Sequence, residues 1–82
     1  MKYSFDTLFN YTVEKDGIQV DCTKLECKFQ AEEEIKNVTI EIYDGNQMTV
    51  KIVEEESDEL TKDDRELFYY LLDKWIMNNL LI

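Results

Sequence analysis

The sequence predicts an α+β fold, a four-stranded antiparallel meander sheet packed against one long C-terminal helix. Three observations carry this. Residues Leu60 to Ile82 hold the only long run with helical periodicity. Before it, apolar residues alternate with polar ones at the period of two that marks half-buried strands. The only two glycines fall in short polar breaks between those alternating runs, and there is no proline to mark a linker. With 82 residues the chain forms a single domain spanning 1–82, since a second core could not be closed with so little material.

The first residues admit two readings. Phe9, Tyr11 and Val13 alternate as in a strand, while Phe5, Leu8 and Phe9 also fit one helical face with Ser4 as N-cap. The following Glu14-Lys15-Asp16-Gly17 favours the strand, from about Leu8, because it forms a four-residue hairpin loop with Gly17 in the left-handed position. Closing that loop pairs Val13 with Ile18, Tyr11 with Val20 and Phe9 with Cys22, with all six on one face. From Ile18 to Phe29 the alternation changes phase: Ile18, Val20 and Cys22 are even, and Leu25, Cys27 and Phe29 are odd. A β-bulge near Thr23-Lys24, or a corner between two short strands, would let both halves point inward.

Glu32, Glu33 and Glu34 read as a solvated connection or one turn of helix. Val38, Ile40 and Ile42 then alternate, as do Met48, Val50 and Ile52. A three-residue loop Asp44-Gly45-Asn46 sets Ile42 opposite Met48, Ile40 opposite Val50 and Val38 opposite Ile52, with Asn46 in the left-handed conformation. The other face of the sheet carries Thr39, Glu41, Tyr43, Thr49 and Lys51 toward water. An acidic stretch, Glu54 to Glu59, leads into the helix.

Thr61 and Asp64 form a capping box at the helix start. Asp63, Asp64 and Glu66 sit at the positive end of the helix dipole. Leu67, Phe68, Leu71, Leu72 and Trp75 fall in one stripe that should face the sheet. Tyr69, Ile76 and Leu80 make a second apolar strip and Tyr70, Met77 and Leu81 a third, more apolar girth than one small sheet needs. Ile76, Met77, Leu80 and Leu81 are therefore the candidate seam of a homodimer.

Composition narrows function by exclusion. Nineteen acids against nine bases and no histidine give a net charge of −10. Such a surface repels phosphate backbones and anionic lipid and attracts basic partners. Without histidine there is no Ser-His or Cys-His pair for nucleophilic catalysis. Two cysteines alone cannot supply a zinc site, and no D-x-D-x-D-G loop or glycine-rich phosphate loop is present. The expectation is a protein with no catalytic residues, no cofactor and no metal. Cys22 and Cys27 suit buried strand positions in a reducing compartment. MKYSFDTLFNY has no basic region followed by an apolar run, so a cytoplasmic location is expected.

The acids Glu54, Glu55, Glu56, Asp58 and Glu59, with Glu32, Glu33 and Glu34 as a second cluster, are the candidate partner-binding residues. Carboxylates at several-ångström spacing on a rigid body imitate the phosphates of a nucleic-acid strand and fit a groove lined by Lys and Arg. Exposed aromatics, Tyr43 first and also Tyr69 or Tyr70, would supply anchors that charge alone does not. In size, acidity and a small sheet with a helix, the chain resembles the small phage-encoded inhibitors, anti-CRISPR proteins and DNA mimics among them. The resemblance is one of type, resting on no motif. It implies a non-enzymatic cytoplasmic protein that blocks the basic surface of a host nucleic-acid-handling protein such as a CRISPR effector. The rival expectation is a structural or homo-oligomerising protein whose helix is the interface and whose acidity serves solubility.

Overall fold

The computed structural model describes residues 2–45 and 47–79. Its elements are β1 (Tyr3–Lys15), β2 (Ile18–Ala31), β3 (Glu34–Asp44), β4 (Met48–Ile52), a short 3₁₀ turn (Glu54–Glu56) and α1 (Lys62–Asn79). The strands form one antiparallel sheet in the order β1-β2-β3-β4, the expected meander. Contacts along α1 show that it crosses the strands. Its start lies beside Lys36 of β3, Phe68 packs on Phe29 of β2, and Trp75 packs on Phe5 of β1 with ring centroids 5.6 Å apart.

The capping box forms as the sequence predicts. The Asp64 N–H donates to Thr61 Oγ1 at 3.1 Å, and the Thr61 N–H donates to the Asp64 carboxylate at 3.2 Å. The predicted inward stripe is also the observed one. Phe68, Leu71 and Leu72 are buried, and Leu67 and Trp75 pack partly buried against the same core. Facing them from the sheet are Leu25, Cys27, Phe29, Ala31, Val38, Ile40 and Ile42.

Several details correct the sequence reading. First, β1 begins at Tyr3, so the alternative helical turn capped by Ser4 does not form. Phe5 is needed as a strand residue against Phe68 and Trp75. Second, the β1–β2 connection is a two-residue turn, with Asp16 at φ 52° and Gly17 at φ 78°. Both central residues in the left-handed region is the hairpin geometry that matches strand twist. Lys15 therefore pairs with Ile18, Val13 with Val20 and Tyr11 with Cys22.

Third, β2 contains no bulge. It pairs without interruption to β3 from Asp21 to Ala31, and the register shift lies in β1, at Leu8 between Thr7 and Phe9. A bulge in the central strand would break two ladders and in the edge strand only one. Cys22 and Leu25 consequently face opposite sides of the sheet. Above the bulge Phe9, Tyr11 and Val13 lie with Val20 and Cys22 on the face away from the helix, whereas Tyr3, Phe5 and Thr7 lie on the helix face. Fourth, Asp44 pairs with Met48, Ile42 with Val50 and Ile40 with Ile52, so the loop is 45–47. That register keeps the predicted faces; Asn46, named for the left-handed position, lies outside the described residues. The β2–β3 connection is a two-residue turn at Glu32-Glu33, with Glu32 at φ 58°, where the sequence suggested a loose connection or a helical turn.

The back face is only partly wet. Thr39 is buried, and the rings of Tyr11 and Tyr43 stand beside Val20 and Cys22. Tyr11 donates to the Glu41 carboxylate, and the Lys15 ammonium lies 4.2 Å from the centroid of the Tyr43 ring. Both cysteines are buried free thiols, one on each face.

Candidate acidic binding edge

The acidic stretch after β4 is tied to the open side of β3. The Val53 N–H donates to the Thr39 carbonyl and the Asp58 N–H to the Asn37 carbonyl, both at 2.8 Å. In return the Asn37 N–H donates to the Asp58 carboxylate at 2.8 Å and the Thr39 N–H to Ser57 Oγ at 2.9 Å. Ser57 Oγ donates to the Val53 carbonyl at 2.7 Å, closing the 3₁₀ turn beneath it. These bonds satisfy strand groups that β4 is too short to reach, so the segment acts as an irregular continuation of the edge strand.

Its carboxylates divide between the two sides. Glu54 turns toward the helix and meets Arg65 at 3.3 Å, whereas Glu56 turns to the back face and meets Lys24 at 2.8 Å. The Glu56 contact raises the Lys24 ammonium above its ordinary 10.5, with Glu41 and Glu55 adding to the effect. Asp58 is spent on the Asn37 amide. Among the described residues Glu55 and Glu59 carry no ion pair, and Glu55 and Glu59 are exposed.

The second cluster comes to the helix start. Glu32, Glu33 and Glu34 line, with Ala31, Lys36, Thr61 and Asp64, an open groove of about 610 Å³. Lys36 is its cation: it pairs with Glu34 at 3.1 Å, and that contact, with smaller contributions from Asp64 and Asp58, raises its pKa. Exposed pairs of this kind contribute little to stability, because solvent screens them. The Lys36 ammonium also donates to the Glu59 carbonyl at 3.4 Å, so it ties the β2–β3 turn to the segment that leads into the helix.

The fold thus brings Glu32, Glu33 and Glu34 together with Lys36 and Asp64, with the Glu59 backbone beside them, and places Glu54, Glu55, Glu56 and Asp58 farther along the same edge. Tyr43 is not among them. It stands near the opposite end of β3 from Glu34, half-buried under Lys15 on the back face. The lysines that partly neutralise these acids were legible in part: Glu34 and Lys36 are two apart on a strand, hence on one face. The Lys24–Glu56 pair joins residues distant in sequence and had no local signal. Of the proposed dimer seam, Ile76 is half-buried against the core and Met77 is exposed, while Leu80 and Leu81 lie outside the described residues.

Among the described residues no group of three or more His, Cys, Asp or Glu side chains stands close enough to hold a metal ion, and no helix is long and apolar enough to cross a membrane. Searches against protein families, curated proteins and solved structures find no match for this chain.

Proposed function

We propose that this protein is a non-enzymatic, cytoplasmic binding protein that occupies the basic surface of a nucleic-acid-handling protein, a CRISPR effector complex being the first target to test. The observation that carries the reading is the anchoring of the acidic stretch. Val53 to Asp58 is held along β3 by backbone and side-chain hydrogen bonds, so the exposed Glu55 stands on a fixed backbone, flanked by Glu54 turned to Arg65 and Glu56 turned to Lys24. Acids on an anchored backbone bind a Lys/Arg groove without the backbone-ordering cost that a loose acidic tail would incur. Association would be fast and weakened by salt.

The test is target-DNA binding by a purified effector complex in the presence of the protein, at low and high salt. Salt-sensitive loss of DNA binding is expected, and Glu54→Lys, Glu55→Lys and Glu56→Lys combined should abolish it while circular dichroism shows the fold intact. Inhibition by the triple variant at wild-type strength overturns the reading.

One observation favours the rival role of a homo-oligomer. Tyr69, Tyr70 and Met77 stand exposed on the outer side of α1. Sedimentation at micromolar concentration decides it: a dimer that Met77→Asp dissociates makes the helix the interface, and a monomer removes that role.

A further inference from the structure

We propose that the free outer edge of β1, from Phe9 to Lys15, takes an extended segment of a partner protein as a fifth strand, and that this segment alternates apolar and basic side chains. The site lies at the opposite side of the sheet from the acidic edge and is independent of it.

The two edges of the sheet are treated differently by the chain. Residues 53–58 only prolong the short β4 along β3, so that side ends in a five-residue strand and an irregular segment, whereas β1 ends the sheet as a thirteen-residue strand with no described segment paired to its outer side. An unpaired strand edge presents a row of backbone donors and acceptors, the template for strand addition. The bulge at Leu8 interrupts that row, so the regular portion is the one beyond it. The contact of α1 with β1 at Phe5, made by Trp75, lies on the other side of the bulge from this portion.

The chemistry of the occupant follows from the two faces that meet at this edge. On the back face the edge offers Phe9, Tyr11 and Val13. Phe9 is 51% exposed and stacks on Tyr11 with centroids 5.4 Å apart. On the helix face stand Asn10, Thr12 and Glu14, all exposed, backed by Asp21, Thr23 and Asp44. Asp21 lies directly opposite Asp44, an arrangement of like charges that strand pairing disfavours, and neither has a cationic partner among the described residues. A strand laid along β1 alternates its side chains between these faces. Apolar residues on one side would extend the Phe9-Tyr11-Val13 strip. Lysines or arginines on the other would sit beside Glu14, their long stems reaching toward Asp21. A second copy of this chain meets the edge with the same acids and a further net charge of −10, so charge selects a basic segment over self-pairing.

The test uses a short synthetic peptide of alternating lysine and valine, titrated into the ¹⁵N-labelled full chain. Amide shifts and slowed hydrogen exchange confined to residues 9–15 and their β2 partners are expected. Methylating alternate backbone nitrogens of the peptide should abolish binding without altering its charge. Glu14→Lys with Asp21→Lys should weaken it about tenfold or more, and the triple lysine variant at Glu54, Glu55 and Glu56 should bind as wild type, which separates this site from the acidic edge. Shifts centred on residues 54–64, equal binding of the methylated peptide, or the same perturbation on concentrating the protein alone would each overturn the proposal.

Discussion

The two ends of the sheet are built from the same strands but bury different faces. At the end that includes the β2–β3 turn, α1 lies across the strands and Leu25, Cys27, Phe29, Val38 and Ile40 point into it. At the end with the β1–β2 turn the buried residues are Val20 and Cys22, on the opposite face, sheltered by tyrosine rings. The reason is one of length. Eighteen helical residues span about 27 Å, and they are laid across the strands, whereas fourteen strand residues extend about 46 Å. The helix therefore covers one end only, and the other must find its own cover. The Leu8 bulge is where β1 changes allegiance, delivering Phe5 to the helix and Tyr11 to the back face. The lesson is that an edge-strand bulge can serve two half-cores with one uninterrupted central strand.

This contrast predicts unequal energetics. Phe68 is fully buried between Phe5 and Phe29, so Phe68→Ala should lower global stability by about 3–5 kcal/mol, read as a fall in the urea midpoint. Cys27 belongs to the same half. Burial, with the charges of Asp6 and Glu26, pushes its thiol from 9.0 up to about 12. A folded pKa above the unfolded one means that the fold favours the protonated thiol. The resulting stability is complete below pH 9 and declines as the pH rises toward 12. Denaturation measured between pH 9 and 11 should show this decline, and Cys27→Ala should flatten it.

At the far end the expected effect is smaller and local. Tyr11 is held protonated by the Cys22 thiol and the Glu41 carboxylate beside it, which raise its pKa. Tyr11→Phe removes one hydrogen bond and should cost about 1 kcal/mol, with faster hydrogen exchange confined to the β1–β2 tip. A loss as large and as global as that of Phe68→Ala would show that the two halves unfold as one and that the division is only geometric.

The elements and their order were readable in the residues, because each depends on local chemistry. The Thr61-Asp64 box, the Leu67-Phe68-Leu71-Leu72-Trp75 stripe and the alternation of β3 and β4 all rest on neighbours within a few positions. The β1–β2 turn was also open to reading, since Asp16-Gly17 is a strong two-residue hairpin signal and the longer loop overlooked it. The phase change in β2 was visible too, but its remedy was not. Two opposite-facing half-cores and one bulged strand produce the same string of apolar letters. Of the candidate site, the acids themselves were plain in the sequence. Their sorting into a groove around Lys36, a Glu54 turned to Arg65 and a Glu56 turned to Lys24 depended on contacts between distant segments.

What the chain determined by itself is the character of each piece: where the helix begins, which runs extend, where the chain turns, and how negative the surface is. Those follow from hydrogen-bond caps, side-chain periodicity and charge, which act over a turn or two. Only the tertiary structure decided which face each half-strand buries and that Val53 to Asp58 would prolong β4 along β3. Alternation says that a strand has two sides, and nothing in it says how far a helix laid crosswise will reach.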